Sequence, residues 1–190
     1  FNGVDVTAYQ YSPTVPDDAP LVCLGKVMHK KGVHVAIAIA KRAGRRLVIA
    51  GDAVETGSDR DYFVNEIMPS VDGKRVQYVG PVDDAQKNRL LGAAAALVFP
   101  TMYEEPFGIV MAEAMACGTP VIGPRRGALL EVVRPGVNGF LCDGVEEGAA
   151  AVEQLRTIDR AAVRRDCEMR FDAAVIASQY EALYAEVTAR

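Results

Sequence analysis

The chain is poor in the residues that build metal and disulfide sites. Of 190 residues only two are histidines, His29 and His34, and neither has a neighbouring ligand set, which argues against a zinc site. The four cysteines, at 23, 117, 142 and 167, show no C-x-x-C spacing. Three of them lie in apolar or helical contexts and read as reduced, buried small hydrophobes, which points to a cytosolic compartment. No run of about 18 apolar residues is present, so no membrane-spanning helix is expected, and no stretch reads as a signal peptide. There is no excess of positive charge either. Lys and Arg number 21 against 25 Asp and Glu, a net charge of -4. That excludes a broad basic surface for nucleic acid. G-x-G-x-x-G is missing, as is G-x-x-x-x-G-K-[ST], so neither a nicotinamide-type fingerprint nor a Walker A loop is available.

What is present is apolar residue in quantity, at 50% of the chain, enough for a substantial core in one domain. It is arranged in alternation. Short continuous apolar runs at 21–27, 46–52, 76–80, 96–100, 120–124 and 139–143 have the form of strands buried on both faces. Between them lie helical segments. One closes on Gly44, and one begins at Ser58 as N-cap with Asp61 three residues on. Another has Asp83 and Asp84 at its start. About six strand–helix alternations predict a three-layer, doubly wound α/β fold with a Rossmann-like parallel sheet. Residues 1–20, with Pro13, Pro16 and Pro20, read as an extended lead-in. Residues 160–190 contain no Gly or Pro and read as helical to the end. The chain opens on Phe1 rather than Met, and FNGVD reads as the interior of a longer protein.

In such folds ligands bind beyond the carboxyl ends of the strands, so the loops after each strand carry the information. The first, GKVMHKKG, gathers Lys26, Lys30 and Lys31 beside a helix start. Free N–H groups and the helix dipole would suit phosphate there, and a solvated basic turn accounts for the pattern equally well. The loop after the fourth run leads into EEPFGIVMAEAMACG. Pro106 keeps Glu105 extended and suits a helix start, while Gly108 allows close backbone approach. A helix over about 107–117, stopped by Gly118, puts Glu105 at its mouth and Glu113 between one and two turns in. The N–H groups of residues 107–110 then lie between the two carboxylates. This suits a ligand with hydroxyls at both ends and an anionic middle, such as a sugar nucleotide. The alternative for Glu113 is a solvent-facing position, although residues 109–117 offer almost no other polar face. The D-x-D at Asp59–Asp61 reads as helix capping rather than metal binding. Arg125 and Arg126 either add positive potential at the cleft or stand on the surface.

The segments LGKVMHKKG, LVIAGD, VQYVGPVDDAQ, EEPFGIVMAEAMACGTPVIG and GALLEVVRPGVNGFLCD together resemble the C-terminal half of glycosyltransferase family 4, over nearly the whole chain. The resemblance implies one Rossmann-like half of a two-domain GT-B enzyme. That half (21–190, closing on a C-terminal helix) binds the nucleotide-sugar donor. Transfer retains configuration and needs no metal or other cofactor. The acceptor, whether a sugar, a lipid or a small molecule, is bound by the N-terminal half, through which peripheral membrane contact is also compatible.

By the same resemblance, Glu105 contacts donor-sugar hydroxyls and Glu113 the ribose hydroxyls. The N–H groups of Phe107, Gly108, Ile109 and Val110 meet the sugar and diphosphate, and Lys31 binds the diphosphate. Backbone around Gly80 to Val82 holds the base. Glu105, Lys26 and Lys31 are the catalytic candidates. The family usually has Arg directly after the first-strand Gly, where this chain has Lys26, a point charge in place of a bidentate fork. Two other readings fit parts of the pattern: a sugar-nucleotide epimerase of the same architecture, and a non-catalytic nucleotide-sugar-binding module.

Overall fold

In a computed structural model, which describes residues 1–188, the six expected strands all form. They are β1 (Leu21–Leu24), β2 (Leu47–Ala50), β3 (Val76–Tyr78), β4 (Ala96–Val98), β5 (Val121–Gly123) and β6 (Gly139–Leu141). They make one sheet in the order β3-β2-β1-β4-β5-β6. Every neighbouring pair is parallel. Side chains alternate between the faces of a strand, so each apolar run feeds two cores. Leu21, Cys23, Leu47, Ile49, Val98 and Ile122 pack on one side of the sheet, and Val22, Leu97, Phe99 and Val121 on the other.

The helices are α1 (Val33–Arg42), α2 (Gly57–Tyr62), α3 (Asp84–Ala93), α4 (Ile109–Ala116), α5 (Leu129–Val132), α6 (Gly144–Gln154), α7 (Arg160–Phe171) and α8 (Ala173–Thr188). Residues of α1, α2 and α6 join the first core, and residues of α3, α4, α5 and α7 join the second. The fold is therefore the expected three-layer α/β sandwich. Helix α4 is buried along its length from Val110 to Ala116, between the sheet and α7. Truncating a fully buried residue there, such as Met111, would cost about 2–5 kcal/mol.

Two expectations about element ends are corrected. Ser58 is not the cap of α2. Thr56 holds that place in extended backbone, and Gly57 follows in the left-handed region. Helix α2 is also short, running on as a π turn (Phe63–Ile67) and a 3-10 turn (Met68–Ser70). Pro69 cannot donate to the carbonyl four residues back, so a regular helix cannot continue through it.

The C-terminal region is two helices rather than one, broken at Asp172, where ψ is 138°. The Asp172 carboxylate accepts the Ala174 N–H at 2.9 Å and so caps α8. Ala189 and Arg190, the end of the expected helix, lie outside the described residues.

The segment 1–20 is packed against the domain. It makes a 3-10 turn at Val6–Ala8, and Val4 and Val6 are buried. The Val4 N–H donates to the Phe171 carbonyl at 2.8 Å, and the Ala173 N–H donates to the Val4 carbonyl at 2.9 Å. These bonds fasten the segment at the α7–α8 break.

Candidate functional site

The strand order dictates where a ligand can enter. From β1 the chain crosses to β2 on one side, and from β4 to β5 on the other. The loops leaving β1 and β4 therefore diverge and open a crevice at the sheet's carboxyl edge. Backbone from the two loops comes close at its base. Gly32 has φ +70° and a Cβ there would overlap the Pro100 carbonyl, so no other residue fits. The Met102 N–H also donates to the Lys30 carbonyl at 2.8 Å. Asp59 ties the β1 loop from a third side by accepting the His29 N–H at 2.9 Å. Asp59 thus serves structure, tying a loop rather than capping α2, while Asp61 is exposed with only Arg60 near it at 3.9 Å; no cluster of metal-ligating side chains occurs among the described residues.

Above this base lies a cleft of about 1170 Å³. Lys26, Lys30 and Lys31 line it from the loop after β1. Phe99, Tyr103 and Glu105 line it from the loop after β4, and Phe107, Gly108, Ile109, Val110 and Glu113 from the start of α4. Gly108 is the N-cap of α4, at φ +70°, and no side chain caps the helix. The first-turn N–H groups of α4 thus face the cleft without a side-chain acceptor.

The two glutamates are built alike. Glu105 is 8% exposed and Glu113 7%. Glu105 Oε2 accepts from Lys31 Nζ at 2.6 Å and from the Tyr103 hydroxyl at 2.5 Å. Glu113 Oε1 accepts from Lys87 Nζ at 2.7 Å and from the Tyr9 hydroxyl at 2.8 Å. Each carboxylate thus has one oxygen held by one lysine and one tyrosine. Its other oxygen has no partner among the described residues.

The lysines respond to this pairing. Burial acts to lower the Lys31 pKa, but the bonds from Glu105 and Tyr103 outweigh it and the net shift is upward. Lys87 moves the same way against its own burial, driven by Glu113 and Asp84. Burial, then the adjacent carboxylate, raises both Tyr9 and Tyr103. All four groups keep their protons at neutral pH and act as donors. The lysines also sit over rings, Lys31 at 5.0 Å from the Tyr103 centroid and Lys87 at 5.9 Å from that of Tyr9.

Most of the residues singled out in the sequence meet in this one cleft: Lys26, Lys31, Glu105, Phe107, Gly108, Ile109, Val110 and Glu113. Gly80 and Val82 do not. The Gly80 carbonyl accepts the Gly51 N–H, and Val82 lines a separate apolar cavity of about 320 Å³ with Val22, Val48 and Leu90. Arg125 and Arg126 are also outside it. Arg125 pairs with Asp143 at 3.1 Å and with Glu147 at 2.7 Å on the surface. Asp83 caps α3 in a reciprocal box with Gln86. The four cysteines are free and buried, and burial pushes Cys23 and Cys167 up to about 12.

Sequence reasoning missed Tyr9, Lys87 and Tyr103. Tyr103 stands two residues from Glu105 and could have been noted. Tyr9 and Lys87 lie 104 and 26 residues from Glu113 and carry no local signal.

A parallel sheet of this order with a lysine- and glutamate-lined cleft at its switch point is the Rossmann-like architecture of GT-B glycosyltransferase domains, and solved structures agree. AviGT4, a glycosyltransferase involved in avilamycin A biosynthesis, superposes with a TM-score of 0.83 at 27% identity, over 98% of this chain and 57% of that one. Anabaena HepE in complex with UDP-glucose gives 0.80 at 26% identity, over 97% and 56%.

The family described as Glycosyl transferases group 1 matches residues 10–167, and the chain belongs to it. It is 34% identical over 173 residues to a glycogen synthase of Mycobacterium tuberculosis, covering 86% of this chain and 41% of that protein. It is 31% identical over 144 residues to a D-inositol 3-phosphate glycosyltransferase of Mycobacterium marinum, covering 74% and 31%. The chain thus spans less than half the length of these curated relatives and a little over half of the solved chains.

Proposed function

We propose that the chain is the C-terminal, donor-binding half of a retaining glycosyltransferase of family 4. The whole enzyme moves a hexose from a nucleotide-diphosphate sugar to an acceptor, in the cytoplasm and without a metal ion. The observation that carries this reading is the cleft itself. Two half-occupied carboxylates flank an uncapped helix N-terminus, with Lys26 and Lys31 beside it. HepE, similar in fold at 26% identity, is a structure with UDP-glucose bound.

In this reading the diphosphate lies over the first turn of α4, where free N–H groups and the helix dipole meet its charge. Lys31 gives up Glu105 for the phosphate. Glu105 then accepts sugar hydroxyls and orients the hexose. Glu113 accepts ribose hydroxyls at the other end. As the bond to the anomeric carbon breaks, negative charge builds on the departing diphosphate, and Lys26, Lys31 and the helix N-terminus stabilise it. Neither glutamate acts as a general base. The acceptor and the remaining catalytic groups belong to an N-terminal half, so the 190-residue chain alone binds donor and turns over little.

Calorimetry with a panel of nucleoside diphosphates and their sugars tests this. One member of the panel should bind, and Lys31→Ala and Glu113→Ala should each weaken it by about tenfold or more. Measurable binding that neither substitution weakens would place the ligand elsewhere and sink the assignment. An epimerase is distinguished by product: the full-length enzyme would return a sugar nucleotide of altered configuration with no acceptor consumed.

A further inference from the structure

The arrangement around Glu113 joins three parts of the chain distant in sequence. Tyr9 comes from the N-terminal segment, Lys87 from α3 and Glu113 from α4, and both donors converge on the same oxygen, Oε1. A carboxylate oxygen offers about two acceptor directions, so Oε1 is full. Oε2 has no partner among the described residues and is not sealed off, since Glu113 lines the cleft. It keeps two acceptor directions, the number needed for two neighbouring hydroxyls. Lys87 lines the cleft beside Glu113 and also pairs with Asp84 at 3.1 Å. Its Nζ is held between these two carboxylates, over the Tyr9 ring.

We propose that Tyr9 and Lys87 are positioning residues that fix the rotation of the Glu113 carboxylate, so that Oε2 alone faces the ligand and selects for a vicinal diol. This rests on the donor-binding reading above and adds to it the source of ribose-over-deoxyribose selectivity. The segment 1–20 then contributes directly to the site, through a hydroxyl that a phenylalanine at position 9 would lack. Without the two donors the carboxylate turns freely. It still accepts hydroxyls, but no longer in one orientation.

The readout is a ratio, which a general loss of stability does not move. The intact chain is titrated with UDP, ADP and GDP and with their 2′-deoxy counterparts. For the nucleotide that binds, the wild type should prefer the ribose form by about tenfold. Tyr9→Phe should narrow that preference to about threefold, Lys87→Met should abolish most of it, and Lys87→Arg should retain it. If Lys87 instead touches the phosphate, Lys87→Met weakens ribose and deoxyribose forms equally, and the proposal falls. It falls as well if the wild type shows no preference, or if Tyr9→Phe and Lys87→Met both leave the ratio unchanged. Failure of every nucleotide to bind the wild type is a different result, which overturns the donor-binding reading itself. Tyr9→Phe removes a single oxygen and keeps the ring packing, so it remains informative should Lys87→Met not fold.

Discussion

Two pairs of charged side chains are buried to similar depth yet are finished differently. Arg160 and Asp166, both on α7, are 8% and 2% exposed, against 8% and 7% for Glu105 and Glu113 at the cleft. Asp166 is engaged through both oxygens. Oδ1 accepts from Arg134 at 2.6 Å, and Oδ2 accepts from Asn138 at 2.7 Å and Arg170 at 2.8 Å. Arg160 likewise has all three nitrogens engaged, donating to the Ser12, Ala94 and Gly92 carbonyls and to the Thr119 hydroxyl. The cleft glutamates each stop at one oxygen. Burial alone therefore does not distinguish a charge that holds the fold from one kept for a ligand. The oxygens that the fold itself leaves unbonded do, since water or a ligand can take them.

The sharpest test of that contrast is at Asp166. Asp166→Ala removes the counter-ion shared by Arg134 and Arg170 and one partner of Asn138, and should cost about 3–5 kcal/mol in urea unfolding, with nucleotide affinity unchanged wherever the variant is folded. A loss of affinity there would blur the division between the two pairs. Glu105→Gln should reverse the pattern. Stability should fall by no more than about 1–2 kcal/mol, while calorimetric affinity for the nucleotide sugar should drop about tenfold more than affinity for the bare nucleoside diphosphate. An equal drop for both ligands would mean that Glu105 does not meet the sugar. Lys26→Arg is expected to act more weakly, and in the favourable direction. A bidentate fork at that position should tighten nucleotide-sugar binding a few-fold, and unchanged or weaker binding would remove Lys26 from the phosphate.

The smallest effect concerns His34, a partly buried group outside both pairs. Burial, and then the neighbouring His29, hold its imidazole below the ordinary value of 6.5. The unfolded chain therefore takes up the proton first, and the associated stability is intact above about pH 6.5 and lost as pH falls below it. His34→Gln should flatten the acid side of a Tm-against-pH profile slightly. An unaltered profile would show that His34 is not linked to folding.

Much of this molecule is legible along the chain. Each strand is a short apolar run because both faces of a parallel sheet are covered, and each appears where the runs lie. The cleft is legible for a related reason: the switch-point rule selects the loops after β1 and β4, and those loops carry Lys31 and Glu105. Legibility ends where a bond closes over a long sequence distance. Nothing near Tyr9 indicates that its hydroxyl reaches Glu113, since that contact exists only once the N-terminal segment is fastened to Phe171 and Ala173. The helix break at Asp172 is hidden for another reason: it carries no Gly or Pro, and an aspartate that caps the next helix ends the previous one just as effectively. Gly80 and Val82 rest on family likeness and on their backbone, and the side chain of Val82 lines a second cavity.

The internal pairing of the cleft lysines also bears on how a ligand arrives. Lys31 and Lys87 are each neutralised by a glutamate, while Lys26 and Lys30 line the same cleft with no ion pair among the described residues. In the proposed donor-binding reading, an approaching diphosphate meets the field of Lys26 and Lys30 rather than that of all four lysines. Its capture rate should therefore fall only gently as salt shortens the range of that field. Lys31 becomes available only as sugar hydroxyls replace it on Glu105, whereas Lys87 stays with Tyr9 on Oε1 of Glu113. Anion and sugar then assist one another thermodynamically, and a diphosphate lacking its sugar leaves Lys31 still latched to Glu105.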